Sequence, residues 1–250
     1  MSHYSCMVIM SAHTARGSSI RDNLTKVLAP YSEHLEVTPY VENSVAELET
    51  ERQELVAKLQ ELVAKGEEPQ DYLVAAADTS VPLQAWAKEY YGRELFDDAG
   101  NMLTTYNPLS KWDWWELGGR FSHQLVTLQG KRVDTTTVSN LDLAATEAME
   151  KTQALNSWKH IHAEKNSTLR DFLLIGEPDT QEAYVAKHGA FYTYAVIDRL
   201  GQWYARGEML YFGVTKDEPG DEETWRANFK RHWLDTLRED DIIAIVDLHI

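Results

Sequence analysis

The chain has 250 residues, of which 40 are Asp or Glu and 24 are Lys or Arg, so its formal net charge is −16. Its hydrophobic fraction of 43% is that of an ordinary folded protein and excludes a disordered acidic tail. Binding to nucleic-acid backbones or anionic lipid depends on Lys and Arg, so this charge disfavours nonspecific nucleic-acid and membrane partners. The lone cysteine, Cys6, and the lack of any run near the ~20 apolar residues of a membrane span indicate a cytoplasmic protein.

The first half of the chain alternates short extended segments with helices. Ser44 and Glu47 form a capping box that begins a long amphipathic helix, and Gly66 ends it. Turn-forming residues separate the other segments. In chain order, the expected elements are a strand Tyr4–Ser11, a loop 12–19, a strand Leu35–Thr38, the helix from Ser44 to Gly66, a helix from Ser80 to Gly92 and an extended segment Met102–Thr105.

The second half begins with the least regular stretch, residues 129–170, which we interpret as an inserted or mobile segment of a single domain, 1–250. Helical apolar spacing within it covers Leu141–Leu155. The last third has clearer periodicity. Its expected elements are a helix Asp179–Lys187, a hairpin of Phe191–Ile197 and Gln202–Ala205, a helix from Asp221 to Leu237 with an aromatic stripe, and a terminal strand 242–250.

These elements predict an α+β fold. Its mainly antiparallel sheet would contain the first strand, the hairpin and the terminal strand, with helices on one face, an arrangement compatible with a ferredoxin-like fold. No Walker loop, Rossmann glycine fingerprint, Cys-x-x-Cys pair or Gly-x-Ser-x-Gly elbow occurs in the chain. The common nucleotide-binding and hydrolase folds therefore lose support.

The densest functional signal is the block from Tyr106 to Phe121, in which tryptophans, charged residues and a Gly-Gly-Arg turn lie close together. Adjacent glycines allow their N–H groups to form an anion-binding concavity beside an arginine, and indoles offer a stacking surface for a flat ring. The block therefore predicts a site for a nucleotide or phosphorylated ligand. Alternatively, the tryptophans seal a corner of the core and Arg120 pairs with Asp113. The predicted ligand-binding residues are Lys111, Trp112, Asp113, Gly118, Gly119 and Arg120.

A second signal lies at the two ends of the predicted sheet. Because side chains alternate along a strand, Asp247 and His249 share one face of the terminal strand, and His3 lies at the start of the first. If the two strands are neighbours, the three residues can meet as an acid–base group or hold a divalent metal ion; plain hydrogen-bonded residues are the other reading. Glu208, after the hairpin, would face the same pocket or lie in a surface turn.

His3-Tyr4-Ser5 also matches half of the His-x-Ser/Thr signature of two-histidine phosphoesterases. The second copy of that signature is missing, since His249 is followed only by Ile250 and His123-Gln124-Leu125 has no hydroxyl at the required place. The sequence therefore carries half of the motif.

Several segments as a set resemble a family of uncharacterised proteins encoded mainly by tailed bacteriophages and some bacteria. The chain departs from that family's pattern at Trp115, Phe121 and Leu248, where the family more often has Tyr, Trp and Cys. The resemblance implies a phage-type protein of the host cytoplasm, a setting in which small proteins inhibit host enzymes or remove signalling nucleotides. The segments that carry it are Met1–Ser5, Leu28–Tyr31, Leu35–Val41, Asn107–Arg120, Trp203–Met209 and Val246–Ile250.

Together these observations predict a protein that recognises a nucleotide or phosphorylated small molecule, for example a host defence signal. If it is an enzyme, it is a hydrolase or phosphoesterase with His3, Asp247 and His249 as the catalytic group. The alternative is a noncatalytic acidic inhibitor that binds a host protein as a nucleic-acid mimic. The sequence names neither a cofactor nor an oligomeric state.

Overall fold

The computed structural model describes residues 2–13, 18–207, 218 and 220–250. The α+β prediction is confirmed. In chain order the strands are β1 (His3–Ser11), β2 (Tyr40–Asn43), β3 (Met102–Thr104), β4 (Trp114–Leu117), β5 (Leu125–Val126), β6 (Arg132–Val133), β7 (Thr135–Thr137), β8 (Ala195–Ile197), β9 (Trp203–Ala205) and β10 (Asp241–His249). The α-helices are α1 (Ile20–Leu28), α2 (Val45–Ala64), α3 (Asp71–Ala76), α4 (Leu83–Tyr91), α5 (Leu143–Ala163), α6 (Ser167–Leu173), α7 (Gln181–His188) and α8 (Asp221–Phe229), and a π-helical stretch, Lys230–Leu234, follows α8.

The chain forms two compact units, one of residues up to Glu33 together with Leu109–Ile250, and the other of His34–Pro108. Residues 129–170, predicted as an inserted or mobile segment, contribute β6, β7 and α5 to the first unit. That segment's predicted mobility and the single-domain organisation stay predictions. Among the helices that the structure describes, none has both the length and the apolar character needed to cross a bilayer.

A six-stranded mixed sheet forms the centre of the first unit, in the order β4-β10-β1-β8-β9, with β7 also paired to β10. The two long strands, β1 and β10, are antiparallel over nine residue pairs, and β8 runs parallel to β1 on its other side. In a ferredoxin-like sheet the parallel strands of each βαβ unit are separated by another strand. Because β1 and β8 are direct neighbours, this sheet has a different strand order.

Helices cover both faces of this sheet rather than one. The reason lies in β1, whose residues from Cys6 to Met10 are all buried, so that both faces need an apolar partner. On one face Leu24 and Leu28 of α1 pack against the sheet, and on the other Phe229 of α8 does. The aromatic stripe predicted on that last helix therefore belongs to the core.

The second unit is built around the long helix α2. Ser44 and Glu47 form the predicted capping box, with each side chain accepting the other residue's backbone N–H. A small core of Leu48, Trp86, Ala87 and Met102 joins α2 and α4 to the β2–β3 hairpin. The strand expected at Leu35–Thr38 lies instead at Tyr40–Asn43, directly after Pro39.

Candidate functional site

The first and last strands of the sheet bring the predicted acid–base residues together. In the β1–β10 register, His3 lies opposite His249 and Ser5 lies opposite Asp247. All four side chains share the sheet face on which Met7 and Ile245 pack farther along the strands. The prediction that His3 meets Asp247 and His249 is therefore confirmed.

His3 is held by a buried carboxylate. Its Nδ1 lies 2.9 Å from Oδ1 of Asp247, whose side chain is 2% exposed. The second oxygen, Oδ2, accepts the backbone N–H of Arg120 at 2.9 Å. A carboxylate only accepts hydrogen bonds, so Nδ1 of His3 is the donor, and Nε2 is the nitrogen that the carboxylate does not engage.

His249 is held by a second carboxylate. Its Nδ1 lies 2.5 Å from Oδ1 of Asp113, and the backbone N–H of Asp113 donates to the carbonyl oxygen of His249 at 2.9 Å. Asp113 therefore orients His249. The alternative interpretation of this block, in which Asp113 pairs with Arg120, is not what the structure shows. By the same reasoning as for His3, Nδ1 of His249 is the donor, and Nε2 is the nitrogen that the carboxylate does not engage.

The two imidazoles lie side by side. Their ring centroids are 5.0 Å apart and their planes are inclined by 64°. The side chains are 14% and 13% exposed for His3 and His249, so both rings lie at a boundary between core and solvent. Nε2 of His249 is buried and has no hydrogen-bond partner among the residues that the structure describes. The arrangement provides two carboxylate-oriented histidines that can exchange protons with one small group.

The Gly118-Gly119 turn packs closely against two carboxylates of the same chain. Gly119 has φ of +52°, and a Cβ there would lie 2.5 Å from Oδ2 of Asp247. Gly118 has φ of +72°, and its Cβ would lie 2.6 Å from Cγ of Asp134. Glycine is thus required here by both backbone conformation and close approach. In the structure the anion beside this turn is Asp247, and a ligand's anion at the Gly-Gly-Arg backbone stays a prediction.

The three tryptophans of the block have different surroundings. Trp112 is buried and donates its Nε1–H to the carbonyl of Leu28 at 3.1 Å, so this predicted ligand residue belongs to the core. Trp115 packs against the same core, with the guanidinium of Arg21 5.1 Å from its ring centroid. Trp114 is 48% exposed, and its ring centroid lies 6.3 Å from that of His3.

Two cations, Lys111 and Arg120, lie on either side of β4 in the sequence. Lys111 is half-buried; its backbone N–H donates to Tyr31 at 2.8 Å, and its carbonyl accepts the hydroxyl of Tyr4. That hydroxyl is so deeply buried that desolvation raises the pKa of Tyr4 far above its ordinary value. The side chain of Arg120 is exposed, directly after the Gly-Gly turn. Glu208 lies outside the described residues.

Sequence reasoning missed two neighbours of this site. Asp134 accepts the backbone N–H of His123, a residue with φ of +64° in the left-handed region. That carboxylate also lies beneath Gly118, and the backbone carbonyl of Asp134 accepts the N–H of Ile245 at 2.8 Å. The other is Trp114, which lies inside the predicted block but was not singled out as a ligand residue, since nothing in the sequence separated it from Trp112 and Trp115.

Over residues 2–13, 18–207, 218 and 220–250, no group of three or more His, Cys, Asp or Glu side chains is placed to hold a metal ion. Three described cavities, of about 200 to 300 Å³, are lined mainly by residues of α5, α7 and α8 and do not include Lys111, Asp113 or Arg120. A pocket formed by those three residues therefore stays a prediction.

Comparison of the chain with protein-family models, with curated proteins and with solved structures finds no match. The function must therefore be argued from the site itself.

Proposed function

We propose that this protein binds a nucleotide or another phosphorylated small molecule and hydrolyses a phosphate ester bond, with His3 and His249 as an acid–base pair. The observation that carries the proposal is the pair of adjacent imidazoles, 5.0 Å apart, each with Nδ1 held by its own carboxylate. A carboxylate on Nδ1 fixes the ring's tautomer and stabilises the imidazolium that forms during proton transfer.

In the proposed reaction, water attacks phosphorus and one histidine takes the water's proton at Nε2. The ester P–O bond breaks, and the leaving oxygen takes a proton from Nε2 of the other histidine. One molecule of water is consumed, and the pair ends with its protons exchanged. The exposed guanidinium of Arg120 and the ammonium of Lys111, which flank β4 in the sequence, are the cations proposed to stabilise charge on the phosphoryl oxygens.

The buried Nε2 of His249 supports this interpretation. Leaving a buried polar atom without a partner costs about 1–3 kcal/mol, and such atoms in native structures call for an explanation. A water or ester oxygen of the substrate would supply the missing hydrogen bond.

The test is hydrolysis of bis(p-nitrophenyl) phosphate and of 2′,3′-cyclic AMP by the purified protein. We expect activity with a bell-shaped pH dependence, because one histidine must be neutral while the other is protonated. His3→Ala and His249→Ala should each lower kcat by about 10²- to 10⁴-fold, the usual contribution of a general acid or base.

The matched control is His13→Ala. His13 and Asp240 form another His–Asp pair, with Nε2 3.8 Å from Oδ2, but the histidine side chain is 73% exposed and lies beyond the opposite end of β1. Its removal should leave kcat unchanged. Wild-type protein that is inactive on a broad panel of phosphate esters, or His3→Ala with full activity, would overturn the proposal and favour the noncatalytic acidic inhibitor.

A further inference from the structure

We infer that the substrate is a nucleotide whose base stacks on Trp114. This inference rests on the proposed function, because it assigns the substrate class of the same site. It starts from the difference among the three tryptophans of the block: Trp112 is buried and Trp115 is partly buried against the core, whereas Trp114 is 48% exposed. An exposed indole beside a catalytic pair points to a ligand with a flat ring.

The strand register places this indole against both histidines. Trp114 is the residue of β4 opposite His249 on β10, and its ring meets His3 edge-on, at 74° between planes and 6.3 Å between centroids. Directly opposite residues on paired strands have adjacent side chains on the same face. The indole therefore borders the imidazoles, and a ribose joins the stacked base to a phosphate at the acid–base pair.

The surroundings of Trp114 favour a small polar ligand over an apolar partner. Glu116, the next residue of β4 on the same face, is exposed, and the adjacent Asp113 is partly exposed. A protein or lipid docking surface needs a contiguous apolar patch, whereas this indole stands between carboxylates. Proteins hold a base of any identity by stacking it on an aromatic ring, because every base has a flat π-face.

The first experiment compares binding of 5′-AMP and ribose 5-phosphate by calorimetry. The wild-type protein should bind 5′-AMP more tightly, and Trp114→Ala should weaken 5′-AMP binding by about 5- to 150-fold, the range that one base–aromatic stack provides. Trp114→Phe should retain most of the affinity. The matched control is Phe172→Ala, which removes an aromatic side chain that is 67% exposed on α6.

The second experiment separates this inference from the proposed function. It measures kcat/KM for 2′,3′-cyclic AMP and for glycerol 1,2-cyclic phosphate, which offers a cyclic phosphodiester without a base. In the wild-type protein, kcat/KM should be higher for the nucleotide than for the glycerol ester. In Trp114→Ala, the ratio of these two values should fall by the same factor as the affinity for 5′-AMP. Histidine-dependent hydrolysis with an unchanged ratio would overturn the inference and leave the function standing. Trp114-dependent binding of 5′-AMP without hydrolysis would support the stacking of a nucleotide base on Trp114 and would overturn the proposed hydrolysis.

Discussion

Asp113 and Asp247 hold their histidines in different ways. Asp247 is buried, and its two oxygens accept from His3 and from the backbone of Arg120, so it also anchors the Gly-Gly turn. Asp113 is 29% exposed, and its carboxylate accepts from His249. Removing the first carboxylate would disturb the turn as well as the histidine, whereas Asp113 can be changed to Asn with less structural consequence. Asp113 is therefore the better position for testing how a carboxylate orients the imidazole of His249.

A different carboxyl, Glu150 on α5, gives a pH-dependent prediction. Burial raises the pKa of Glu150, an effect that Arg132 only partly opposes, and its Oε1 is buried with no hydrogen-bond partner among the described residues. A folded-state pKa above the unfolded value means that ionised Glu150 destabilises the fold at neutral pH. That penalty disappears below the unfolded pKa of about 4.3. Glu150→Gln should therefore raise Tm at about pH 7 and leave it unchanged near about pH 4.

Thermal unfolding of both proteins across this pH range measures the effect. Glu147→Gln is the control on the same helix, since it removes one carboxylate that lies near Lys230. We expect it to leave Tm unchanged or lower it slightly at neutral pH. A lower Tm for Glu150→Gln at about pH 7 would show instead that the ionised carboxylate stabilises the fold.

At the scale of elements, helix α5 depends on its first residues. Asp142 is the N-cap: its side chain accepts the backbone N–H of Ala145 at 2.9 Å, and its own N–H donates to Val126 at 2.8 Å. Asp142→Ala should lower the free energy of unfolding by about 0.5–2 kcal/mol, the usual cost of losing a cap. Asp142→Asn keeps an accepting oxygen and should lose much less. Urea unfolding monitored by circular dichroism measures both, and equal losses would contradict the capping role.

Some elements of the fold can be predicted from the sequence, and others cannot. The capping box at Ser44, the long strands and the residues that share their ends depend on local chemistry and on the two-residue period of a strand. Strand β4 was missed, because Trp114–Leu117 becomes a strand only by pairing with the edge of β10. Strand β7, with three consecutive threonines, is likewise defined by its partner.

At the site, the sequence supplied the histidines, the carboxylates and the contact of His3 with Asp247, but not the pairing of Asp113 with His249. Asp113 and His249 lie 136 positions apart, and no local pattern links them. The Gly-Gly turn was predicted for its freedom of conformation, which is correct, but its neighbouring anion is a side chain of the same protein. The partner of His249 and the anion beside the turn are both set by tertiary contacts, which composition and local periodicity do not predict.

For the molecule as a whole, acidic side chains outnumber basic ones by 40 to 24. Folding therefore brings a net negative charge into a smaller volume. Salt shortens the screening length from about 30 Å at 0.01 M to about 10 Å at 0.1 M and so weakens this self-repulsion. Tm should therefore rise when NaCl is increased over this range. KCl should give the same rise, because screening depends on ionic strength. A falling Tm would show that the ion pairs of the fold outweigh the repulsion.

The pairing of β1 with β10 also has a consequence for synthesis. His3 and Asp247 are separated by 244 positions, and His249 follows still later. During translation, the N-terminal strand leaves the ribosome long before its partner exists, and loop closure over such a distance is slow. The contact between the imidazoles of His3 and His249 can form only once residue 249 has emerged. The neighbouring pair of imidazoles is therefore absent from any nascent chain that has not yet reached His249.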